Sequence, residues 1–413
     1  MKAKMILRKA VFLLLAALST AGCMDLSTTD PYAGSIHSLT VKALYPDGFG
    51  DRVREGVLVQ AEDIASGTLR KALTQADGSA VLRVPNGIYR VSVNDRHEGD
   101  IFGGSADKVL VSGADATLSL RLVHSKAGTL VIKELYTGGC SKAPLEGTYQ
   151  SDKYAIIHNN DDETAYLDGL CFGTLSPYNS AGANPWISRD PETGEIRYRD
   201  YAPIIQCIWQ FGGDGTSFPL ASGADAVICL NGAIDHTLQY PLSVNLNQPD
   251  YFACYNTNYF PNTLYHPAPG DRIRADHILE VVIKTGQANA YTISMSSPTF
   301  VLFRARGTTM RDFVADADHI VQVPGGSEQM VALPLEWIID GVEVFDGRST
   351  ANTKRLAPSV DAGYVVLSDI YKSHALLRKT DAQASAEKGF EVLQDTNNSS
   401  DDFDEQETQS LHR

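Results

Sequence analysis

The sequence predicts an all-β protein in which a small β-sandwich is followed by a larger one. Short stretches in which apolar and polar residues alternate recur from Leu39 onward, as expected for half-buried strands. Asp-Gly and Asn-Gly pairs, which are typical of tight turns between strands, separate them. Only residues 311–319 and 372–388 are candidates for short helices. These patterns together favour packed sheets over helical layers.

The first 23 residues have the features of an export signal. Four basic residues precede the uncharged apolar run 10–18, and small residues follow up to Cys23. This run is too short to span a bilayer, so no retained transmembrane anchor is expected. The end of the segment resembles a bacterial lipobox, with Thr20 where Leu is commoner. The resemblance implies a signal peptide over 1–22, cleavage after Gly22 and lipid on Cys23. The alternative is an ordinary signal peptide with an incidental cysteine.

Charge and composition narrow the functional classes. Removal of residues 1–22 moves the net charge from −15 to −19, because only basic residues are lost. Such acidity argues against nucleic acid as a partner, since phosphate binding needs clustered Lys and Arg. The length of 413 residues and a hydrophobic content of 43% are sufficient for two or three domains with packed cores.

The cysteines after Cys23 do not form a recognisable framework. There are five of them, an odd number without CxxC spacing, so they cannot all pair within one chain. We interpret them as small hydrophobic residues of the core. A single disulfide among them is left open as an alternative. The five are Cys140, Cys171, Cys207, Cys229 and Cys254.

The small sandwich is predicted over residues 36–124, after a lipidated N-terminus and polar linker at 23–35. Alternation is clearest at 39–43, 57–61, 80–84, 89–93 and 118–122. Within it, residues 74–80 read T-x-x-D-G-x-A and residues 84–91 read V-P-x-G-x-Y-x-V. These motifs resemble the prealbumin-like modules that serve as carboxypeptidase regulatory domains and as stalks of bacterial surface proteins. The resemblance implies a spacer or binding accessory without an activity of its own.

The large β-sandwich is predicted over residues 127–400. Its opening segments 128–136, 154–160 and 166–170 resemble the lamin-tail type of sandwich, although Ala155 and His158 depart from that pattern. With residues 393–400 they resemble, more closely, a Bacteroidales outer-membrane lipoprotein family known only as domain of unknown function 4876. That resemblance implies an envelope location and an accessory role to a TonB-dependent receptor, but no activity.

Later segments of the large sandwich also have strand composition. They are β-branched or aromatic runs at 226–230, 279–283, 300–303 and 364–367. The last segment, 401–413, has five carboxylates among its thirteen residues, and we expect it to be a solvated acidic tail.

An aromatic stretch from Tyr251 to Tyr265 is the best candidate for a binding surface. It has six aromatic residues in fifteen positions, interleaved with asparagines and interrupted by prolines. Such a loop can offer flat stacking faces beside hydrogen-bonding groups, which sugars and protein partners both use. The alternative is that these rings close one end of the core. The predicted contact residues are Tyr251, Tyr255, Asn256, Tyr259 and Tyr265.

Two acidic clusters are weak candidates for calcium sites. One contains Asp161 and Asp162, and the other contains Asp316 and Asp318, but neither has the spacing of a calcium-binding loop. The histidines form no zinc-binding pair, and no nucleophile elbow is present. No cofactor and no catalytic residue are predicted.

These observations lead to a ranked set of hypotheses. The first is a lipid-anchored outer-membrane protein, displayed at the cell surface, that binds a small molecule, a glycan or an outer-membrane receptor without catalysis. The second is a structural or adhesive surface protein. The third is a carbohydrate or peptide hydrolase, whose acid and nucleophile would be distant in sequence.

Overall fold

The computed structural model describes residues 35–49, 54–97, 100–126, 128–192 and 196–412. Strands dominate this part of the chain, and the predicted all-β sandwich architecture is confirmed. The predicted signal peptide, Cys23 and most of the linker lie outside the described residues. None of the helices in the described ranges combines the length and apolarity needed to cross a membrane.

The first eight strands form two facing sheets. One sheet has the order β4-β1-β7 and the other the order β3-β2-β5-β6-β8. Strand β1 pairs antiparallel with β4 and parallel with β7. The strands are β1 His37–Leu44, β2 Leu58–Asp63, β3 Leu69–Leu73, β4 Ser79–Val84, β5 Gly87–His97, β6 Asp100–Val111, β7 Ala116–Arg121 and β8 Val123–Lys126.

The core of this small sandwich follows directly from the alternation in the sequence. Leu39 and Val41 of β1 point inward and are fully buried, while the residues between them are more exposed. They pack in one cluster with Leu82 and Val91 from the neighbouring strands. Gly78 takes a positive φ of 79°, as an Asp-Gly turn requires, because a side chain would be strained there.

The remaining strands form a larger sandwich of two main sheets. A six-stranded sheet has the order β20-β19-β12-β9-β27-β28. An eight-stranded sheet has the order β23-β24-β17-β14-β22-β25-β26, with β21 paired to β17. Three two-stranded ribbons, β10-β11, β13-β18 and β15-β16, lie beside them.

The strands of the larger sandwich are β9 Leu130–Tyr136, β10 Cys140–Ser141, β11 Thr148–Tyr149, β12 Tyr154–Asn159, β13 Ala165–Tyr166, β14 Cys171–Leu175, β15 Ser188–Arg189, β16 Ile196–Arg197, β17 Tyr201–Gln210, β18 Pro219–Leu220, β19 Asp225–Cys229, β20 Phe252–Ala253, β21 Glu280–Lys284, β22 Thr299–Phe303, β23 Ile320–Gln322, β24 Gln329–Pro334, β25 Ile338–Asp346, β26 Val365–Leu367, β27 Ala375–Arg378 and β28 Phe403–Gln406.

The helices in the described part of the chain are short. They are α1 Met310–Ala315, α2 Ala382–Lys388 and α3 Ser399–Asp402. Single 3₁₀ turns occur at His236–Leu238, Ala275–His277, Ala317–His319 and Leu335–Trp337.

Both main sheets of the larger sandwich are covered on both faces. Between them lies a core that includes Phe172, Trp209 and Phe300. Phe313 of α1 belongs to a cluster on the outer side of the eight-stranded sheet, and Val244 to a corresponding cluster on the six-stranded sheet. Strands buried on two faces have no reason to alternate. This explains why β12, β14 and β22 are buried at every position.

Residues 401–412 are not a solvated tail, and that prediction is wrong. Phe403–Gln406 is β28, which pairs with β27 at the edge of the six-stranded sheet. Asp402, just before it, is only 1% exposed. Composition alone suggested solvation, but the buried carboxylate lies 3.6 Å from the guanidinium of Arg378. A charged residue can be buried when it is paired in this way.

Arg378 is the centre of a buried charge cluster. Its guanidinium lies 2.6 Å from Asp340, 3.5 Å from Asp395 and 3.6 Å from Asp402. Three carboxylates thus face one cation. Burial raises the pKa of Asp402 to about 7, with Asp395 adding to the shift and Arg378 opposing it. Burial also raises the pKa of Asp340.

The segment before β28 joins the two sandwiches. It runs from Asp395 to Asp402, and its side chains reach strands of the small sandwich. The joining contacts are Gln60 Nε2 to Asp401 Oδ1 at 2.5 Å, Asn397 Nδ2 to Ser125 Oγ at 2.7 Å, and the Arg90 guanidinium 3.6 Å above the ring of Tyr364. The joint is therefore polar and specific rather than a flexible tether.

Candidate functional site

A cleft in the described part of the chain lies at one end of the large sandwich. Its volume is about 500 Å³, within the range of small-molecule sites. Strand register explains its position: β12 begins at Tyr154 opposite the end of β19, and β22 begins beside the end of β14. Loops leaving four strands therefore meet here. The lining comes from Gln150, Ser151, Lys153, Tyr178, Asn179, Asn231, Asn262, Tyr265, Ala288, Asn289, Ala290, Thr292, Met295 and Ser296.

Lys153 is the charged side chain of this lining. It is 3% exposed, and its ammonium donates to the carbonyl oxygen of Ile293 at 2.9 Å. Burial lowers the pKa of Lys153 from 10.5 to about 8, against the opposing negative charge of Asp152. The carboxylate of Asp152 instead accepts hydrogen bonds from Tyr136 at 2.9 Å and from Ser243 at 2.6 Å. Lys153 thus keeps a positive charge at neutral pH in a desolvated position.

Asn231 lies beside Lys153 and is also 3% exposed. Its backbone N–H donates to the carbonyl of Lys153 at 3.3 Å, and its Nδ2 donates to the carbonyl of Tyr291 at 2.7 Å. The side-chain oxygen Oδ1 is buried and has no hydrogen-bond partner. An unpaired buried acceptor costs about 1–3 kcal/mol, so a donor from a ligand would stabilise this position.

Amide and hydroxyl groups on the other walls are held by local hydrogen bonds. Asn179 Oδ1 accepts from Ser294 Oγ at 2.6 Å, which fixes the direction of the amide. Asn262 donates its backbone N–H to the carbonyl of Asn289 at 3.0 Å. Tyr265, 41% exposed, lies on the rim. The cleft therefore combines fixed polar groups with one accessible aromatic ring.

The five predicted contact residues of the aromatic stretch have different environments. Tyr265 lines the cleft, and Tyr259 is 44% exposed but does not line it. Tyr251 is half-buried, against the cluster that covers the six-stranded sheet. Tyr255 is half-buried and stacks on the ring of His266, with centroids 5.3 Å apart.

Asn256 has a structural position in this loop. Its Oδ1 accepts the backbone N–H groups of Asn258 at 3.0 Å and of Tyr259 at 3.2 Å, which forms a turn. Its own N–H donates to Nε2 of His266 at 3.0 Å. Burial lowers the pKa of His266 to about 4, so this nitrogen remains an acceptor at neutral pH. Phe260 of the same stretch is fully buried in the main core, so the stretch divides between core and surface.

The acidic clusters do not form metal sites in the described part of the chain. No group of three or more His, Cys, Asp or Glu side chains is placed there to hold a metal ion. Asp162 pairs with Lys388 at 2.6 Å. Asp316 caps the turn that contains Asp318 by accepting its backbone N–H at 3.0 Å. Asp161 accepts from the backbone N–H of Asp162 at 2.7 Å.

The five cysteines of the described chain are all buried and free, so they form no disulfide. Burial raises the pKa of Cys140 to about 12 and also raises the pKa of Cys171. A thiol is nucleophilic only as the thiolate, and buried apolar surroundings disfavour that form. Four of them pack in hydrophobic clusters as predicted, namely Cys171, Cys207, Cys229 and Cys254. Cys140 instead lies beside the polar groups of Asp152, Ser243 and Tyr136.

Sequence reasoning missed Lys153, Asn231 and Asn179. Lys153 and Asn231 lie next to strand ends and Asn179 lies in the loop that follows β14, and none of the three belongs to a motif. The signal that could have found them is a polar residue directly flanking an uninterrupted apolar strand. Lys153 precedes β12, and Asn231 follows β19 after one residue.

The fold and the cleft define a class: an all-β protein of two successive sandwiches with a polar cleft at one end of the larger. Within that class, residues 221–410 match a family described as "Protein of unknown function (DUF4876)". The chain is also similar to the crystal structure of a DUF4876 family protein from Bacteroides thetaiotaomicron VPI-5482. The two share 24% identity with a TM-score of 0.55, over 89% of this chain and 94% of that one. The predicted resemblance to this family is confirmed.

Two further solved structures are less similar. One is a DUF3823 family protein from Parabacteroides merdae ATCC 43184, with 11% identity and a TM-score of 0.18 over 44% of this chain and 83% of that one. The other is GBS52, the minor pilin of Streptococcus agalactiae, with 14% identity and a TM-score of 0.16 over 44% and 84%. TM-scores this low do not establish a shared fold. The comparison with curated proteins gives no match.

Proposed function

We propose that this protein is a non-catalytic binding protein of the cell envelope that captures a small, hydroxyl-rich ligand such as a saccharide in the cleft. The observation that carries the proposal is the lining, in which amides and hydroxyls surround about 500 Å³. One of these residues is Asn231, whose side-chain Oδ1 is buried without a hydrogen-bond partner. Amides both donate and accept hydrogen bonds, as hydroxyl groups do, so several of them can bind the hydroxyl groups of one sugar. The ring of Tyr265 offers an apolar face at the rim.

The chemistry of the lining favours binding over catalysis. It includes no carboxylate, histidine or thiol, the groups that most often serve as general acids, bases and nucleophiles. The buried cysteines lie elsewhere in the core. A site of fixed hydrogen-bonding groups without a reactive pair is suited to recognition.

The proposed location is the outer membrane, with lipid on Cys23 and display at the cell surface. The basic, apolar and small-residue order of residues 1–23 supports it. Two or more acyl chains hold a protein stably on a membrane, whereas one holds it marginally. Replacing Cys23 by Ser is expected to move the protein from the detergent phase to the aqueous phase in a phase-partition assay. Equal partition of both proteins would contradict the anchor.

The cleft is tested by a matched pair of tyrosine variants. Tyr265→Ala and Tyr259→Ala remove similar, partly exposed rings from the same loop, and only the first ring lines the cleft. Titration calorimetry of the purified protein against a panel of mono- and oligosaccharides should show binding that Tyr265→Ala weakens about tenfold. Tyr259→Ala should bind like the native chain. Absence of binding across the panel, or equal losses in both variants, would contradict the proposal.

A further inference from the structure

We infer that the ligand of this cleft is an acidic saccharide, whose carboxylate binds the ammonium of Lys153. The inference rests on the proposed function and adds the charge of the ligand to it. Lys153 is the one charged side chain among the lining residues. The protein as a whole has a net charge of −15, so a cationic cleft without carboxylates is a local reversal of its charge.

The ammonium of Lys153 has N–H donors that an anionic ligand can use. An ammonium group has three donors, and among the described residues one acceptor, the carbonyl of Ile293, is in contact with it. No described carboxylate lies within ion-pair distance of its Nζ, and the neighbouring Asp152 turns toward Tyr136 and Ser243. A buried ion normally has a partner, because its desolvation is otherwise uncompensated. The negative charge of Asp152 compensates the ammonium in part, and a ligand carboxylate would add a direct ion pair.

Asn231 indicates which group of the ligand lies next to that carboxylate. Its unpaired Oδ1 needs a donor, and its backbone is hydrogen-bonded to that of Lys153. The side chains of the two residues are also fixed by nearby carbonyls, those of Tyr291 and Ile293. A ligand that reaches both side chains would present an anionic oxygen to the ammonium and a hydroxyl donor to Oδ1. A uronic acid carries both on one ring.

A carboxylate fits this site better than a phosphate. One ammonium balances a single negative charge, whereas a phosphate monoester carries nearly two at neutral pH. Sites for phosphate usually add arginine or a row of backbone N–H groups, and the lining contains no arginine.

The experiment compares three forms of the same sugar on the native protein. Galacturonate, glucuronate and mannuronate oligosaccharides, their methyl esters and the corresponding neutral oligosaccharides are titrated by calorimetry. The expected result is that one uronate binds at least about tenfold more tightly than its ester and its neutral counterpart, since a charge-assisted hydrogen bond is lost in both. The esters keep the size of the ligand and need no protein variant.

The outcomes separate this inference from the proposed function. Equal binding of acid, ester and neutral sugar would overturn the inference alone, while binding of none would overturn both. Lys153→Met should abolish the preference for the acid over its ester and its neutral counterpart. A preference that survives in Lys153→Met, with an unchanged melting temperature, would also overturn the inference.

Discussion

Arg378 offers the sharpest test of how the large sandwich is held together. In Arg378→Met the methylene volume is largely kept, but the buried carboxylates of Asp340, Asp395 and Asp402 lose their cation. Breaking a buried ion pair by removing one partner costs about 3–5 kcal/mol. The carbonyls of Ile132 and Gln394, which accept from the guanidinium at 2.7 and 3.1 Å, add about 1 kcal/mol each. The expected loss of unfolding free energy is therefore about 5–7 kcal/mol.

The loss should depend on pH in a defined direction. Without the cation, the pKa values of Asp340 and Asp402, which burial already raises, rise further in the folded variant and are unchanged in the unfolded chain. The folded variant therefore binds more protons than the folded native protein, and its relative stability improves as the pH falls. For each carboxyl the gain is about 1.4 kcal/mol per pH unit below its folded pKa. The destabilisation should thus be clearly smaller at pH 5 than at pH 8.

Urea unfolding monitored by tryptophan fluorescence measures both quantities. Arg311→Met is the matched control, because Arg311 pairs with Glu280 at 2.6 Å on the surface, where both side chains are about half exposed. Exposed pairs contribute about 0–1 kcal/mol, so this variant should unfold nearly like the native protein. Similar losses in the two variants, or a loss at Arg378 that is independent of pH, would refute the reasoning.

Three further predictions address other parts of the structure. Gly213→Ala should lower the melting temperature strongly, because a Cβ there would lie 2.1 Å from Asp168 Oδ1. Gly215→Ala should lower it less, since a Cβ at that position meets no neighbour. Equal shifts in the two variants would contradict the clash. His266 should contribute a loss of about 1.4 kcal/mol of stability per unit as the pH drops from about 6.5 to 4, because its pKa is lowered to about 4 in the fold and the unfolded chain takes up the proton first. Urea titrations at several pH values should therefore differ by this slope between the native protein and His266→Gln. Thiol titration of membrane-extracted protein should find five reactive thiols after unfolding and almost none before it; a sixth would show that Cys23 carries no lipid.

The sequence predicted the fold correctly in segments where the alternation of apolar and polar residues determines which side is buried. In the small sandwich, alternation around Leu39 and Val41 reports directly which side faces the core. In the large sandwich, apolar runs such as 154–159 predicted strands but could not show that both faces are covered, since the covering loops are distant in sequence. The last segment was misjudged for a related reason. Asp402 is acidic by composition, and its partner Arg378 is recognisable only in three dimensions.

The candidate site was predicted less well than the fold. An aromatic-rich composition drew attention to residues 251–265, and one of the predicted residues, Tyr265, does line the cleft. The charged and amide groups of the cleft come from loops that follow or precede different strands. Their convergence depends on strand register, which hydrophobic patterns do not specify between distant segments.

The position of β28 has a consequence for how this chain is made. It completes the sheet that β9 begins, because β27 pairs with both, and Ser410 donates its N–H to Glu134 across 276 positions. Contacts of such long separation form late, since a long loop must first close. The larger sandwich therefore cannot acquire its native structure before β28 has been synthesised and released from the ribosome. Delayed closure of this kind makes the folding of the larger sandwich a post-translational step.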